Sequence, residues 1–221
     1  MVRLKIEIER LKKRILSLSA AVEESVRKAV TATEERDSAM AHQVLDGDAE
    51  IDALEVELEE ECLKILALHQ PVAMDLRFII AVLKINNDLE RIGDQATNIA
   101  ERAVYLAQHK HIEAPPVIPP MVEKVRVMLR ESLDALVNMD TNKAAKVRAL
   151  DGEVDELHRS VFARVQAEIR ERPDQIEGQI QWFSVSRCLE RIADQATNIA
   201  EDVIYMMEGE IVRHQKEDYR T

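Results

Sequence analysis

The stretch LERIADQATNIAE, residues 189–201, stands almost letter for letter a second time in the chain as LERIGDQATNIAE, residues 89–101. Twelve of the thirteen positions agree, and the one difference is Gly93 against Ala193. Apolar residues recur in it at helical spacing, which predicts an amphipathic helix with one buried face. Packing alone accepts any apolar residue of similar volume, so identical charged and amide positions indicate a shared function.

The repeat extends outward from this helix. The pair Asp37-Ser38 returns as Asp140-Thr141, and both pairs suit the start of a helix because aspartate is a good N-cap. Four apolar positions return 103 residues later: Leu18, Val22, Val26 and Val30 as Met121, Val125, Leu129 and Leu133. The chain is therefore predicted to be all-α, with two tandem three-helix bundles related by an internal repeat.

The patterns also predict where the helices begin and end. We expect one helix over 3–36, a short helix from Ser38 to about Asp46, a long helix over 49–69 and a third from Pro71 to about Lys110. Pro71 suits a first helical turn. The segment IEAPPVIPP, 112–120, holds four of the six prolines and is the predicted linker. The predicted domains are a bundle over 1–111, this linker and a second bundle over 121–221.

Composition restricts the classes of function. Only 5 glycines and 6 prolines, with 33% charged residues, are typical of long helices, and a 46% apolar share is enough for a core. The net charge of −12 argues against nucleic-acid binding, which requires clustered cations. The longest apolar run, FIIAVL at 78–83, is too short to cross a bilayer, so no membrane insertion is expected.

The N-terminal residues and the cysteines indicate the compartment. The first ten residues alternate charged and apolar side chains and lack the apolar core of a signal peptide. Cys62 and Cys188 have no metal-finger spacing and stand in apolar helical patterns, so we expect buried free thiols. These features predict a cytoplasmic protein.

Acidic pairs four residues apart are the main candidate for function. Like charges at this spacing cost an isolated helix roughly 0.2–0.5 kcal/mol, so local helix stability does not favour them. If the second and third helices of a unit are antiparallel neighbours, four carboxylates converge and a cation would offset their repulsion. Oxygen ligands suit Mg²⁺, Ca²⁺, Mn²⁺ or ferric iron. The candidate ligands are Glu90/Asp94, Glu190/Asp194, Asp48/Asp52 and Asp151/Asp155, and the same helix face adds Asn98, Glu101, Asn198 and Glu201.

Three interpretations without metal remain open for these acids. Acids on a charged helix are often only a solvated face. Asp48 and Asp151 each stand next to a glycine and can be N-caps. Arg91 and Arg191 can pair with the motif acids in an ion-pair network. The duplication favours metal or partner binding for the third-helix pairs.

Other chemical motifs are few. Asp155 and His158 have metal-ligand spacing, but the repeat counterpart of His158 is Glu55, so a shared role for the two positions is not expected. The chain has no GxGxxG, GxxxxGK[ST] or GxSxG motif, which removes the usual sequence signals for nucleotide binding and acyl transfer.

Two long segments resemble the PhoU family of phosphate-transport accessory proteins. They are QPVAMDLRFIIAVLKINNDLERIGDQATNIAE (70–101) and SRCLERIADQATNIAEDVIY (186–205), the second followed by EGEIVRH (208–214). The resemblance covers nearly the whole chain. The PVAxDLR motif is missing from the second unit, where PDQIEGQIQWF stands, so any role for Asp75 or Arg77 belongs to the first unit alone.

The resemblance implies two three-helix bundles that hold multinuclear metal clusters, often of iron, on E(D)xxxD motifs. Apart from the resemblance, Mg, Mn, Ca and Zn are the other candidate metals. Those motifs correspond to the four acidic pairs named above. It also implies a non-enzymatic negative regulator that links the ATPase subunit of the phosphate ABC transporter to a phosphate-sensing histidine kinase. Such proteins keep the phosphate-starvation response silent when phosphate is plentiful, and the resemblance implies a homodimer.

The main alternative from another class is a carboxylate-bridged metal enzyme, a di-iron-type oxidase on a helical bundle. Such sites place Glu-x-x-His on two helices. Here Gly93 and Ala193 lie three residues after Glu90 and Glu190, which weakens the oxidase interpretation. A third interpretation is a structural helical scaffold whose acids serve only solubility.

Overall fold

Six α-helices make up the structure, a computed structural model that describes residues 2–109 and 112–212. Met1, residues 110–111 and residues 213–221 lie outside the described residues, and with them Arg213 and His214 of EGEIVRH. The all-α prediction is confirmed, since this part of the chain contains no strand. The helices are α1 Val2–Glu35, α2 Ser38–His69, α3 Ala73–Gln108, α4 Ile118–Asn138, α5 Thr141–Glu171 and α6 Ile176–Glu208, with a 3₁₀ turn, Pro173–Gln175, before α6.

The helices form the two predicted three-helix bundles, α1–α3 and α4–α6, and the bundles are joined through α3 and α6. These two helices run antiparallel, because Lys84 Nζ lies 3.3 Å from Asp202 Oδ1 and the Tyr105 hydroxyl donates to Glu177 Oε2 at 3.1 Å. The buried apolar side chains of both bundles form one continuous cluster. The two repeats therefore share a single core.

The helix starts at Ser38 and Thr141 agree with the sequence prediction. The Asp37 carboxylate accepts a hydrogen bond from the Met40 amide at 3.0 Å. The Asp140 carboxylate accepts from the Asn142 and Lys143 amides at 3.0 and 3.1 Å. Each aspartate is thus a working N-cap, which satisfies amide groups that have no partner inside the helix.

The predicted break near Asp46 is wrong. Helix α2 runs without interruption from Ser38 to His69 and passes through Gly47, because strong helix formers on both sides outweigh one glycine. Asp48 and Asp151 consequently lie inside α2 and α5, and the N-cap interpretation of these two acids is wrong.

Two proline positions also differ from the prediction. Pro71 lies before α3, which begins at Ala73, after a chain reversal at Gln70 with φ of 43°. Pro119 and Pro120 lie in the first turn of α4, where a missing amide hydrogen removes no helical hydrogen bond. The non-helical connection therefore ends at Val117, three residues earlier than the end of the predicted linker.

The connection between the bundles is anchored by Arg36, which follows α1. Its guanidinium donates to the Leu106 carbonyl at 2.8 Å and to the Ile112 carbonyl at 2.5 Å, and lies 5.0 Å from the ring centre of Trp182. The Ile112 side chain packs against Gly178, where any Cβ would overlap it. One arginine thus ties the end of α3, the connection and α6 together.

Two further sequence predictions can be compared with the structure. Cys62 and Cys188 are buried free thiols, as predicted. None of the helices within the described residues has the length and apolar character needed to cross a membrane.

Candidate metal centre

The repeated helices place their acids along the edge of a buried face. In α3 the apolar stripe of the motif is fully buried, and α6 buries the equivalent residues. Glu90 and Glu190 are half-buried at the edge of this stripe, one helical turn from Asp94 and Asp194 respectively. The apolar stripe fixes the rotation of each helix, so the acids point along the groove shared with the preceding helix.

Two threonines join the acidic helices of each bundle. The Thr97 hydroxyl donates to Asp48 Oδ1 at 2.9 Å, and the Thr197 hydroxyl donates to Asp151 Oδ1 at 3.1 Å. The second- and third-helix acids therefore share one groove in both bundles. Both threonines stand in the repeated QATN letters, but residue spacing alone did not identify them as partners of the acids.

The second bundle brings three carboxylates within ligand distance of each other. One oxygen atom each from Asp155, Glu190 and Asp194 lies within 4.8 Å of the others. Asp151 lies beside them, held by Thr197. Three convergent carboxylates and a fourth beside them form a donor set made only of oxygen, the type that hard cations prefer.

Burial, with a smaller contribution from neighbouring acids, raises the pKa values of two of these carboxyl groups. Burial, reinforced by the charges of Glu190, Asp151 and Asp155, raises the pKa of Asp194 to about 7, against a smaller opposing effect of Arg191. The pKa of Asp151 is raised mainly by burial, although the Thr197 hydrogen bond acts in the other direction. Shifts of this kind accompany a site whose negative charge lacks compensation.

The first bundle has the same acids in a looser arrangement. Burial, followed by Asp48 and Asp52, raises the pKa of Asp94. Burial, followed by Asp94, Glu55 and Asp52, raises the pKa of Glu90, with Arg91 opposing. Among the described residues, however, no three acids of this bundle come as close as Asp155, Glu190 and Asp194. The two sites therefore contain the same types of acid, but three of the carboxylates lie closer together in the second bundle.

The ion-pair alternative does not agree with the structure. Throughout residues 2–109 and 112–212, none of the eight paired acids forms an ion pair, and neither Arg91 nor Arg191 lies within ion-pair distance of a carboxylate. Both arginines are exposed and act on the acids only at longer range.

The four additional candidates have other contacts. Glu101 pairs with Arg102 at 3.0 Å, and Glu201 pairs with Arg148 at 3.4 Å. The Asn98 amide donates to the Asp94 carbonyl at 2.7 Å, and the Asn198 amide contacts Gln195 Oε1 at 3.4 Å. Glu101 and Glu201 do not belong to the group of three acids. Arg148 has no basic counterpart in the first unit, so the repeat could not predict its pairing with Glu201.

One helical turn along the groove from the acids, the two bundles have different pairs of side chains in contact. In the second bundle His158 Nδ1 lies 3.1 Å from the Ser186 hydroxyl. In the first, the Asn86 amide donates to Glu55 Oε1 at 2.8 Å. The non-equivalence of His158 and Glu55 predicted from the repeat is therefore present in the structure, and each residue has a partner on the neighbouring helix.

The geometry argues against the di-iron oxidase alternative. Oxidase sites of that type are enclosed among helices, with histidines three residues after glutamates. Here the acids are half-buried or exposed at the edge of the core, and Gly93 and Ala193 occupy the positions where histidines would be required.

Comparisons with known proteins agree with this architecture. The PhoU domain model matches twice, at residues 15–103 and 118–203. A phosphate-specific transport system accessory protein PhoU homolog of Aquifex aeolicus is 40% identical over 95% of this chain and 95% of its own length. The homolog of Pseudomonas putida is 39% identical over 94% of this chain and 82% of its own length.

Solved structures give the same result. The crystal structure of PhoU from Pseudomonas aeruginosa superposes with a TM-score of 0.89 at 36% identity, covering 93% of this chain and 99% of that one. The phosphate transport system regulatory protein PhoU from Streptococcus pneumoniae superposes with a TM-score of 0.87 at 28% identity, covering 95% of this chain and 99% of that one. Relatives described as accessory and regulatory proteins support the prediction that the chain is not an enzyme. With two domain matches, full-length relatives and the same six-helix fold, the chain belongs to the PhoU family.

Proposed function

We propose that this protein is a cytoplasmic, non-enzymatic negative regulator of phosphate uptake and of the phosphate-starvation response. It acts as an adaptor between the ATPase subunit of a phosphate ABC transporter and a phosphate-sensing histidine kinase, and it works as a homodimer. The proposal is supported by relatives named as phosphate-transport accessory proteins that this chain matches over 94–95% of its length. The net charge of −12 agrees with protein partners rather than nucleic acid.

The adaptor role is tested by affinity capture. The tagged protein is purified from cells grown with ample phosphate and from starved cells, and the captured partners are identified by mass spectrometry. Recovery of the transporter ATPase or the sensor kinase in amounts that change with phosphate is the expected result. Recovery of neither under either condition would overturn the adaptor proposal.

We further propose that the acidic grooves bind metal. The observation that carries this proposal is the group Asp155, Glu190 and Asp194, whose oxygen atoms lie within 4.8 Å of one another and form no ion pair with a lysine or arginine among the described residues. The donor set fits hard ions, with iron clusters as the first candidate and Mg, Mn or Ca as alternatives; Zn also remains a candidate. Asp151, held by Thr197, would complete the site, and Glu90, Asp94, Asp48 and Asp52 would form its counterpart in the first bundle.

Elemental analysis of purified variants tests metal binding. Glu190→Ala/Asp194→Ala removes two of the three gathered carboxylates and should lower the bound metal per chain by about half or more. Glu34→Ala/Glu35→Ala, two exposed acids at the end of α1, removes the same charge and should leave the metal content unchanged. Unchanged metal in the motif variant would contradict the proposal.

A further inference from the structure

A polar cavity lies where the connection between the bundles runs past the second bundle. Its volume is about 140 Å³, several times the roughly 10–15 Å³ that one water molecule requires. Residues 113–116 of the connection form one wall, and the second half of α5 and the start of α6 form the others. The polar side chains that line it are Glu113, Arg164, Glu168, Arg172, Gln175 and Gln179. We call this space the connection cavity.

Gln179 is a buried side chain whose amide oxygen has no partner. The residue is 3% exposed, and its Oε1 accepts no hydrogen bond from the described residues. Its counterpart in the first bundle is Ile79, which is fully buried in the core. The fold therefore accepts an apolar side chain at this position, whereas a buried acceptor without a donor lowers stability. A ligand in the connection cavity that donates a hydrogen bond would offset this cost.

Two charged side chains of the connection cavity also lack a counter-ion. Arg164 pairs with Glu168. Arg172 and Glu113 form no ion pair within the described residues. The cavity thus offers one unpaired guanidinium and two unpaired acceptors, the Glu113 carboxylate and Gln179 Oε1. A matching ligand needs an anionic oxygen for the guanidinium and at least one hydrogen-bond donor for the acceptors.

We propose that the connection cavity binds free inorganic phosphate in a protonated form. Dihydrogen and monohydrogen phosphate, the forms present near neutral pH, carry anionic oxygens that Arg172 can bind. Both forms also carry an O–H group, which can donate to Gln179 Oε1 or to Glu113. Sulfate has the same shape but carries no hydrogen at this pH, so it would leave both acceptors unpaired.

A bound ion would join the connection to α5 and α6. The inference deepens the proposed regulatory function by giving the regulator direct contact with phosphate. It rests on that function for the choice of phosphate among protonated oxyanions.

Isothermal titration calorimetry of the full chain with inorganic phosphate tests the site. Arg172→Gln should weaken phosphate binding by about 10- to 100-fold, because a hydrogen bond between charged groups is lost. Arg170→Gln, at an exposed position of α5 outside the cavity, is the control and should bind phosphate like the wild type. Absence of phosphate binding by the wild type, or equal binding by Arg172→Gln, would overturn the proposal.

Gln179→Leu tests the unpaired acceptor. In phosphate-free buffer it should raise the midpoint of thermal unfolding by about 2–4 °C, because no acceptor is left without a donor. Gln166→Leu, the same change at an exposed position of α5, should not raise it.

Sulfate tests the role of the ligand's hydrogen. The wild type should bind phosphate about 10-fold or more tightly than sulfate, since a site built around a donor rejects an analogue that lacks it. Gln179→Leu should reduce this preference. Equal affinity of the wild type for the two ions would overturn the role of the acceptors.

Two further titrations distinguish other sources of binding. A chelator should leave the phosphate affinity unchanged, and its loss would assign the phosphate to the metal centre instead. O-phosphoserine should bind more weakly than phosphate, because the ester removes an oxygen that can carry a hydrogen. Tighter binding of O-phosphoserine would assign the cavity to a phosphorylated side chain and overturn the choice of the free ion.

The capture experiment separates this inference from the adaptor function. With Arg172→Gln as bait, the amount of transporter ATPase or sensor kinase recovered should no longer change with phosphate. Recovery that still changes would overturn the regulatory role of the connection cavity and agree with the adaptor function. If the wild type recovers neither partner, the adaptor function is overturned, and calorimetry alone decides whether the cavity binds phosphate.

Discussion

At the scale of single residues, the one difference between the repeated helices follows from the side chain that each helix faces. A Cβ at Gly93 would lie 3.2 Å from Cγ2 of Ile51, closer than ordinary contact. The counterpart of Ile51 in the second bundle is Val154, which is one methylene smaller, and there the chain has Ala193. The first bundle therefore combines a larger side chain on α2 with glycine on α3, whereas the second combines a smaller side chain on α5 with alanine on α6.

This exchange predicts energetic coupling between the two positions. Gly93→Ala alone gains helix propensity but crowds Cγ2 of Ile51, whereas Ile51→Ala removes that γ carbon and Cδ1, so in an Ile51→Ala background the added methyl has room. In chemical denaturation, Gly93→Ala should be more favourable by about 1 kcal/mol in the Ile51→Ala background than in the wild type. Additive effects in the double-mutant cycle would show that the two side chains do not compete for space.

The raised pKa of Asp194 predicts a pH dependence of stability. Its pKa of about 7 in the folded state lies above the ordinary value of 3.8, so the folded protein retains a proton that the unfolded chain releases. The metal-free protein should therefore lose stability as the pH rises from about 4 to about 7, with no further loss from this group at higher pH. The charges of Glu190, Asp151 and Asp155 increase this effect, and Arg191 opposes it.

Urea denaturation at pH 5 and pH 8 in the presence of a chelator measures the effect. Asp194→Asn should reduce the difference in midpoint between the two pH values, because the amide does not titrate. Asp46→Asn, an exposed position in α2, serves as the control and should keep the wild-type difference. An equal difference in all three proteins would show that Asp194 does not determine this dependence.

At the scale of helices, the glycines differ sharply in their surroundings. Gly47 and Gly152 lie inside α2 and α5, and an added Cβ would contact nothing within 4 Å at either position. At Gly178, in α6, the side chain of Ile112 occupies the space that an added Cβ would need. Backbone entropy is the only local effect of glycine at the first two positions, whereas the third is required for packing.

Substitution of these glycines by alanine should therefore have opposite effects on the free energy of unfolding in α5 and in α6. Gly152→Ala should raise the free energy of unfolding by about 0.5–1 kcal/mol, and Gly178→Ala should lower it by about 1–3 kcal/mol because Ile112 must move. Thermal and urea unfolding of the two variants provide the measurement. Destabilisation by Gly152→Ala would show that α5 does not accept a Cβ at this position without strain.

Helix ends show which parts of the fold the sequence could predict. The N-caps Asp37 and Asp140 were predicted and are confirmed because capping is a contact between near neighbours in the chain. The break after Asp46 was predicted wrongly because one glycine next to an aspartate resembles a helix start, while the cost of about 1 kcal/mol is small in a 32-residue helix packed along its length.

The candidate site was predictable to a similar extent. The identical letters in the two repeats identified the acids, and the helical period placed them along one edge of the buried helix face. Contacts across helices, such as Thr97 with Asp48 and Arg148 with Glu201, depend on the distance between helix axes and on side-chain rotamers. Neither quantity is encoded in residue spacing, and the closer grouping in the second bundle was not predictable for the same reason.

At the scale of the whole molecule, Arg36 joins the end of α3, the connection between the bundles and α6. Lysine keeps its charge but cannot donate to the Leu106 and Ile112 carbonyls while stacking on Trp182. Arg36→Lys should lower the free energy of unfolding by about 1–3 kcal/mol. Fluorescence reports the change directly, because Trp182 is the only tryptophan. Arg130→Lys, on the exposed face of α4, should have no effect.

The antiparallel contact between α3 and α6 also affects how the chain folds while it is being synthesised. Helix α3 ends at Gln108 and α6 ends at Glu208, so the ribosome adds 100 residues between the completion of the two helices. At a ribosomal rate of roughly 5–20 residues per second, the side of α3 that α6 will cover stays open to solvent for about 5–20 s. During that interval the nascent first bundle presents apolar surface to other chains. Newly made protein should therefore depend on chaperones more than its high helix content suggests, and slowing translation of the second half should increase aggregation.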